Sequence, residues 1–424
     1  MKVLLSAYAC EPGRGSEPGV GWNMACQIAK HHQVWVLTSN THRPAIEAEL
    51  ARHQPPNLNF VYLDPFNWVY DWSYEGKRSQ WSVYLHYYLW QIWAYFIARR
   101  LHQEMSFDVA HHITYGRYSS PSFLVFLPIP FVWGPVGGAE STPKPFWQDF
   151  STRAKVYETL RNLLRWVGEL DPFVHLSARK STAAIVTTPE TATRLKVFGA
   201  KRIEFLPGQT GINQQEFAHL EKLPLSSDES SDESVIRFVS IGRLLHWKGF
   251  HLGIKAFAQT GLDQSEYWII GEGPERERLE ELANQLGIAD RTFFLGRISR
   301  EQTFHTLAKC HVVVHPALHD FSPTVCLEAM VARRPVVCLN LGGPAIQITE
   351  ETGFKIHAQT PDQAVNDMAK AMTLLAKDPD LRLRMGQAGQ KRVREAFSWE
   401  SKGQFFAQLY KEISTQDKSY VKLG

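Results

Sequence analysis

Residues 235–259 read VIRFVSIGRLLHWKGFHLGIKAFAQ, and this stretch decides the fold. VIRFVSIG is an apolar run that stops at a glycine, the pattern of a buried strand, whereas GFHLGIKAFAQ carries its apolar residues at helical spacing. Toward the C-terminus the pair repeats: EYWIIG, PERERLEELANQLG, RTFFLG, REQTFHTLAKC, HVVVHPA, TVCLEAMVAR and PVVCLN alternate as strand and helix. Such regular alternation predicts a doubly wound parallel sheet, whose ligands bind beyond the carboxyl ends of its strands.

Toward the N-terminus the pattern breaks at LSSDESSDES, Leu225–Ser234, a low-complexity acidic tract that cannot pack and is expected to be a mobile loop. Before it, KVLLSAYA, GVGWNMACQIAKH and QVWVLTS follow βαβ order, and FDVAHHIT, PFVWGPVG and STAAIVTTP supply further strands. A first α/β domain ending near residue 205 is therefore predicted. A length of 424 residues with 44% apolar content agrees with two domains of similar size. After PDQAVNDMAKAMTLLA, helical segments run to about Gln416, and the last, WESKGQFFAQLYKEI, has an apolar face that needs a surface to cover.

Charge excludes some classes of partner. Lys plus Arg number 46 against 43 Asp plus Glu, a balance that gives no general affinity for nucleic acid or anionic lipid. The five cysteines, Cys10, Cys26, Cys310, Cys326 and Cys338, form no CxxC pair and no Cys/His cluster at metal-ligand spacing, which fits reduced thiols in the cytoplasm and no metal site. MKVLLSAYAC has too short an apolar run for a leader peptide and is taken as a buried strand. Trp81–Leu101 has nearly spanning length but contains His86, Gln91 and many Tyr and Trp, so a buried aromatic helix is expected. The alternative is an interfacial anchor using its aromatic face with Arg99 and Arg100.

Chemistry concentrates in the loops after the strands. In EPGRGSEPGVG, Glu11–Gly21, Gly15 and Gly19 stand before or at the opening of a helix, where backbone N–H groups can approach a phosphate. A tight strand-to-helix turn would look the same, and the spacing is not that of a dinucleotide fingerprint. In SIGRLLHWKGF, Gly242 ends the strand while Arg243 and Lys248 follow on the loop, two cations suited to a diphosphate or else two solvated charges. GEGPERERLE places Gly271 at another strand end, and FLGRI brings Arg297 and Ile298 after a third, where backbone atoms can meet a nucleobase edge. LGGP, with Gly342 and Gly343, is a further phosphate-facing turn, and Glu350 and Glu351 behind it are expected to be solvated.

HDFSPTVCLEAM, His319–Met330, holds Asp320 and Glu328. On one continuous helix they would lie about 12 Å apart along the axis, beyond the roughly 6.5–9.5 Å of an inverting glycosidase pair. Pro323 instead predicts a helix beginning near Thr324, with Asp320 on the loop and Glu328 inside the helix. The two carboxylates then grip separate hydroxyls of one extended polar ligand, while free N–H groups at the helix start face its anionic part. The competing arrangement is a solvated Asp beside a helix-surface Glu. In FDVAHHIT, His111 and His112 point to opposite faces of their strand. No GxSxG elbow, HExxH helix or Walker loop is present.

Taken in order, SIGRLLHWKGF, GEGPER, FLGRIS, HDFSPTVCLEAMVARRPVV and LGGP, with SAYACEPGRGSEPGVGW and the HHIT strand end, resemble the retaining GT-B glycosyltransferases of family 4. The resemblance implies an α/β architecture of two Rossmann-like doubly wound domains facing a central cleft. It implies an acceptor-binding domain over 1–205, a nucleotide-sugar-binding domain over 206–395, and a C-terminal helix over 396–424 that crosses back to the first domain. Arg243 and Lys248 match the family's diphosphate-binding cations, and Arg297 and Ile298 lie where its backbone contacts the base. Asp320 and Glu328 fill the two ends of its acidic pattern, near the transferred sugar and the ribose. Ser322, Pro323 and Thr324 stand where many members carry glycines, and His111 is placed ahead of His112 as the cleft-facing histidine. The implied reaction moves a sugar from an NDP-sugar to an acceptor hydroxyl with retention, in polysaccharide, glycolipid or other glycoconjugate synthesis, with no cofactor and no essential metal. A carbohydrate or lipid-linked acceptor, no nucleic acid and a cytoplasmic location are expected, with peripheral contact to the inner face of a membrane as a further option. A nucleotide-sugar epimerase and a non-catalytic sugar-nucleotide-binding protein are the alternatives.

Overall fold

The computed structural model describes residues 1–53, 55–67, 80–224 and 235–421, with side chains left out for 67, 80–82 and 416–421. The acidic tract 225–234 lies outside the described residues. The chain divides into two compact units: 1–139, 161–209 and 399–424 form one, and 140–160 with 210–398 form the other.

The first unit is built on seven strands: β1 (Lys2–Ser6), β2 (Gln33–Thr38), β3 (Leu58–Tyr62), β4 (Val109–His112), β5 (Phe131–Val136), β6 (Ala183–Val186) and β7 (Ile203–Phe205). Their order is β3-β2-β1-β4-β5-β6-β7, and every pairing is parallel. The central strands are buried on both faces, which is why VLLS and AAIV read as unbroken apolar runs. One face carries helix Gln80–Met105, which buries Tyr87, Trp90, Ala94 and Ala98. The aromatic segment is thus a helix of this unit, with Trp90 donating its indole N–H to the Leu63 carbonyl at 2.9 Å. On the other face, helices Ser16–Ala29 and Trp399–Val421 pack together, the latter burying Trp399, Phe406, Leu409, Tyr410 and Ile413. Among the described residues no helix is long and apolar enough to cross a membrane.

The second unit has six strands, β8 (Ile236–Ile241), β9 (Ser265–Ile270), β10 (Thr292–Gly296), β11 (Val312–His315), β12 (Val336–Leu339) and β13 (Gly353–Ile356), all parallel and ordered β10-β9-β8-β11-β12-β13. In both units the chain winds outward from the first strand and then resumes on its other side. The carboxyl ends of β1 and β4, and of β8 and β11, are therefore the switch points where such sheets bind ligands.

Residues 140–160 precede β6 in sequence yet pack in the second unit. Phe146, Phe150 and Ala154 enter a core shared with Phe250, Leu252 and Phe257, burying more aromatic surface than an exposed excursion could. Asp149 sits 3.2 Å from Lys255 Nζ, and its carbonyl accepts from Arg278. The strap and the junction at 209/210 are where the compact units depart from a simple break at 205/206.

Candidate functional site

At the carboxyl edge of the second sheet, three neighbouring strands end in glycine. Gly242, Gly271 and Gly296 have φ of +153°, +139° and +67°, a range that favours glycine. A Cβ on Gly271 would lie 1.9 Å from the Gly242 carbonyl oxygen. The Gly271 N–H donates to the Gly296 carbonyl at 2.9 Å, and the Gly242 N–H to the Ile270 carbonyl at 2.9 Å. The three ends therefore make a shelf of bare backbone, beside which Arg297 is exposed and Ile298 packs partly into the core.

From this shelf the loop 243–249 turns toward β11. Gly249 is left-handed at φ +67°, and a Cβ there would meet the Pro316 carbonyl oxygen at 2.0 Å, so the two loops touch backbone to backbone. The Leu318 N–H closes the contact by donating to the Trp247 carbonyl at 2.8 Å. That approach brings Lys248 Nζ into a hydrogen-bonded ion pair with Asp320 at the β8/β11 switch point. His315 at the end of β11 places Nε2 3.5 Å from the same carboxylate. Burial alone would raise the Asp320 pKa, but the Lys248 ammonium and His315 hold it well below the usual carboxylate range. Burial also pushes His315 below its usual value, against the pull of Asp320. Arg243 is exposed and forms no ion pair or side-chain hydrogen bond among the described residues.

The loop after Asp320 is held from several sides. Ser322 Oγ accepts from the Thr210 N–H at 3.0 Å, Gln347 Nε2 donates to the Pro323 carbonyl at 3.1 Å, and the Gly343 N–H donates to the Asp320 carbonyl at 2.8 Å. A Cβ on Gly343 would strike the Phe321 carbonyl oxygen at 2.2 Å, which explains the glycine there. The helix spans Thr324–Val331, as Pro323 predicts, and no side chain caps its first N–H groups. Glu328 is buried rather than on an open surface, and Arg300 Nη2 grips it at 2.8 Å. Glu350 and Glu351 are exposed.

Glu158, with no accessible surface, lies behind this arrangement on the strap. Its Oε1 is 3.1 Å from His246 Nε2 and 3.1 Å from His319 Nε2, the residues flanking the Lys248 and Asp320 loops. Trp247 is stacked between Tyr157 and His319, with centroids 5.2 and 5.4 Å away and planes within 14°. Sequence reasoning missed Glu158, His246, His315, His319 and Arg300. Only His315 carried a signal, as the last residue of a strand.

The remaining candidates belong to the first unit. His111 is fully buried, with Nδ1 2.5 Å from the Tyr410 hydroxyl and Nε2 2.5 Å from the Gly134 carbonyl oxygen. His112 points to the opposite face, 3.1 Å from the Tyr87 hydroxyl and 3.2 Å from Ser6 Oγ. Burial depresses both rings to about 3, so both are neutral, and His111 has no accessible atom with which to meet a ligand. Gly15 caps helix Ser16–Ala29 with open space around its Cα, whereas a Cβ on Gly19 would lie 2.0 Å from the Arg14 carbonyl oxygen. Glu17 in that helix's first turn accepts from the Tyr115 N–H and from Gln209 Nε2, each at 3.1 Å. Among the described residues no group of three or more His, Cys, Asp or Glu side chains is arranged to hold a metal ion.

Residues 224–392 match the family model described as glycosyl transferases group 1. The lipopolysaccharide core biosynthesis glycosyltransferase LpsD of Rhizobium meliloti (strain 1021) is 28% identical over 216 residues, which are 50% of this chain and 59% of that protein. The match therefore spans less than two thirds of that relative. Among solved structures, sucrose-phosphate synthase from Thermosynechococcus elongatus superposes with a TM-score of 0.66 at 19% identity, covering 98% of this chain and 99% of that one. Anabaena HepE in complex with UDP gives 0.62 at 18% identity, over 97% of this chain and 100% of its own. At such identities the likeness is one of fold: two parallel-sheet α/β domains of the GT-B class.

Proposed function

We propose, for a chain whose residues 224–392 match the glycosyl transferases group 1 family model, that it transfers a sugar from a nucleoside diphosphate sugar to an acceptor hydroxyl with retention at the anomeric carbon. The observation that carries this reading is the Lys248–Asp320 pair at the β8/β11 switch point, beside an unengaged Arg243 and an uncapped helix start. The donor's diphosphate lies against Arg243, Lys248 and the N–H groups at Thr324, where fixed positive charge meets the negative charge that grows as the sugar–phosphate bond breaks. Asp320 stays anionic and accepts from sugar hydroxyls; Glu328, steadied by Arg300, does the same for the ribose. The glycine shelf at Gly242, Gly271 and Gly296 lets backbone atoms approach the base.

In the transfer the bond from the anomeric carbon to the diphosphate oxygen breaks and a bond to the acceptor oxygen forms on the same face. The acceptor's proton passes to the departing phosphate oxygen. No carboxylate nucleophile, cofactor or metal takes part in this scheme. LpsD is a lipopolysaccharide core glycosyltransferase and HepE holds UDP; both favour a glycoconjugate acceptor and a uridine donor as the first to be tried.

The test is incubation with UDP-, GDP- and ADP-sugars and a panel of lipid-linked and soluble acceptors, following nucleotide release and the anomeric configuration of the product. Loss of transfer in Lys248→Ala and in Arg243→Ala, with unchanged melting in the second, is expected. Near-normal transfer by both variants would overturn the assignment, and conversion of the sugar without glycosylated acceptor would replace it with epimerisation.

A further inference from the structure

Helix Thr152–Glu169 turns Val156, Leu160, Leu163 and Leu164 to solvent, each more than half exposed, and buries Glu158 with no accessible surface. That reverses the usual sorting, because a carboxylate taken out of water is costly unless donors meet it. Two donors do. A single oxygen, Glu158 Oε1, accepts from His246 Nε2 and from His319 Nε2, each at 3.1 Å. An ionised carboxylate only accepts, so both imidazoles present their proton on Nε2. The His246 ring is further enclosed by Phe150 and Trp247, edge to face at centroid distances of 4.9 and 4.7 Å.

The two histidines stand on the two loops that carry the ion pair. His246 opens the single 3-10 turn His246–Lys248, in which the Lys248 N–H donates to the Leu245 carbonyl at 2.9 Å, so a fixed His246 fixes the root of the Lys248 side chain. His319 directly precedes Asp320. The backbone contact between Leu318 and Trp247 joins the loops at one point, and two segments joined at one point still turn about it. The shared carboxylate adds a second point, and the Trp247 ring stacked on His319 a third. Because imidazoles fill this oxygen, Glu158 orders both loops while Lys248 Nζ remains paired with Asp320.

We infer that Glu158 is a positioning residue for the transfer: through His246 and His319 it holds Lys248 and Asp320 in the arrangement that the departing diphosphate requires. With no accessible surface, it acts through the histidines and not on the sugar nucleotide itself. The strap 140–160 is then part of the donor machinery as well as a connection between β5 and β6. This role rests on the reaction proposed above, and it assigns to that reaction a residue from outside the donor loops.

The experiment compares the native full chain, Glu158→Gln and Glu158→Ala in the donor assay and in NMR spectra of nitrogen-labelled histidine. Glu158→Gln keeps an acceptor oxygen in the same volume and should hold turnover to within about tenfold of native, whereas Glu158→Ala should lose about 10²-fold in kcat, as a displaced catalytic group does, with little change in donor KM. Losses that act through the same group do not multiply, so adding Glu158→Ala to Lys248→Met should lower turnover by no more than about twofold further. Should the alanine variant fail to fold, Glu158→Met removes the acceptor and keeps the volume. Independently of turnover, two Nε2–H signals, assigned with His246→Asn and His319→Asn, should be present in the native chain and move in Glu158→Ala. Native kcat in Glu158→Ala, losses that multiply with Lys248→Met, equal losses in the glutamine and alanine variants that track their melting temperatures, or histidines protonated on Nδ1 alone overturn the inference. A native chain that shows both Nε2–H signals and transfers no sugar overturns the proposed reaction, and the positioning role with it.

Discussion

Two strand-to-helix turns occupy the same place in the two sheets and carry opposite charge. After β1, the stretch from Glu11 runs into helix Ser16–Ala29, whose first turns contain Gly19, where a Cβ would lie 2.0 Å from the Arg14 carbonyl oxygen. After β8, the turn from Gly242 to Gly249 contains Gly249, where a Cβ would lie 2.0 Å from the Pro316 carbonyl oxygen. Both glycines are required by a close carbonyl oxygen, although Gly19 is helical and Gly249 left-handed. In the first turn, however, carboxylates occupy the positions an anionic ligand would want: Glu17 takes the Tyr115 N–H and the Gln209 amide, and Glu11 pairs with Arg14 and His42. In the second, an ammonium and a guanidinium unengaged among the described residues stand at the switch point. Glycine spacing shapes such a turn; the charge beside it decides what the turn can bind.

The sharpest way to break that contrast is Lys248→Met. Turnover should fall by about 10²–10³, since a group aimed at the leaving diphosphate is lost, and stability should fall because Asp320 is left buried without its cation. Lys248→Met/Asp320→Asn should regain part of the stability and none of the turnover; urea midpoints and donor assays separate the two. If Lys248→Met keeps full turnover, the second turn has no claim on the diphosphate.

Acid should weaken the first unit through a different pair. Burial lowers His111 and His112 from 6.5 to about 3, so the unfolded chain takes up their protons first and the stability they contribute is lost as pH falls from about 6.5 toward 3. Between pH 7 and 5 this amounts to on the order of 2 kcal/mol for each ring. Asp320 has the opposite shift: its contribution stays whole down to the ordinary carboxylate range, about pH 4, and is lost only below it. A urea midpoint that does not move between pH 7 and 5 would mean that both rings are charged in the folded chain.

Gly19→Ala and Gly249→Ala should each cost roughly 1–3 kcal/mol by forcing a Cβ against a carbonyl oxygen, whereas Gly15→Ala, in open space at φ −81°, should change the melting temperature little. The smallest effect on folding belongs to Arg243→Ala, within about 0.5 kcal/mol, together with weaker and more salt-sensitive donor binding by calorimetry.

Much of this was legible beforehand where a local pattern determines the outcome. The strands from VIRFVSIG to PVVCLN are apolar runs punctuated by glycine, and Pro323 marks the start of helix Thr324–Val331 because proline suits a helix entrance and not its interior. The short edge strands β3, β7 and β13 lack such runs and are defined by the neighbour they pair with. The histidine doublet alternated as expected, but that His111 meets Tyr410 depends on a helix almost 300 residues further on. Glu158 had no local sign at all. Its partners lie 88 and 161 residues away, and it sits on the inward, polar side of a helix whose apolar side faces out, so amphipathicity points the wrong way.

The strap has a practical corollary for anyone dividing this protein. A clone beginning at Thr210 would contain all six strands of the second sheet and still lack Phe146, Phe150 and Ala154 from its core and Glu158 from between His246 and His319. Such a fragment should be recovered poorly, while one in which residues 140–160 are joined ahead of 210–398 by a flexible linker should be soluble. In this chain, the unit that folds together is not a continuous piece of sequence.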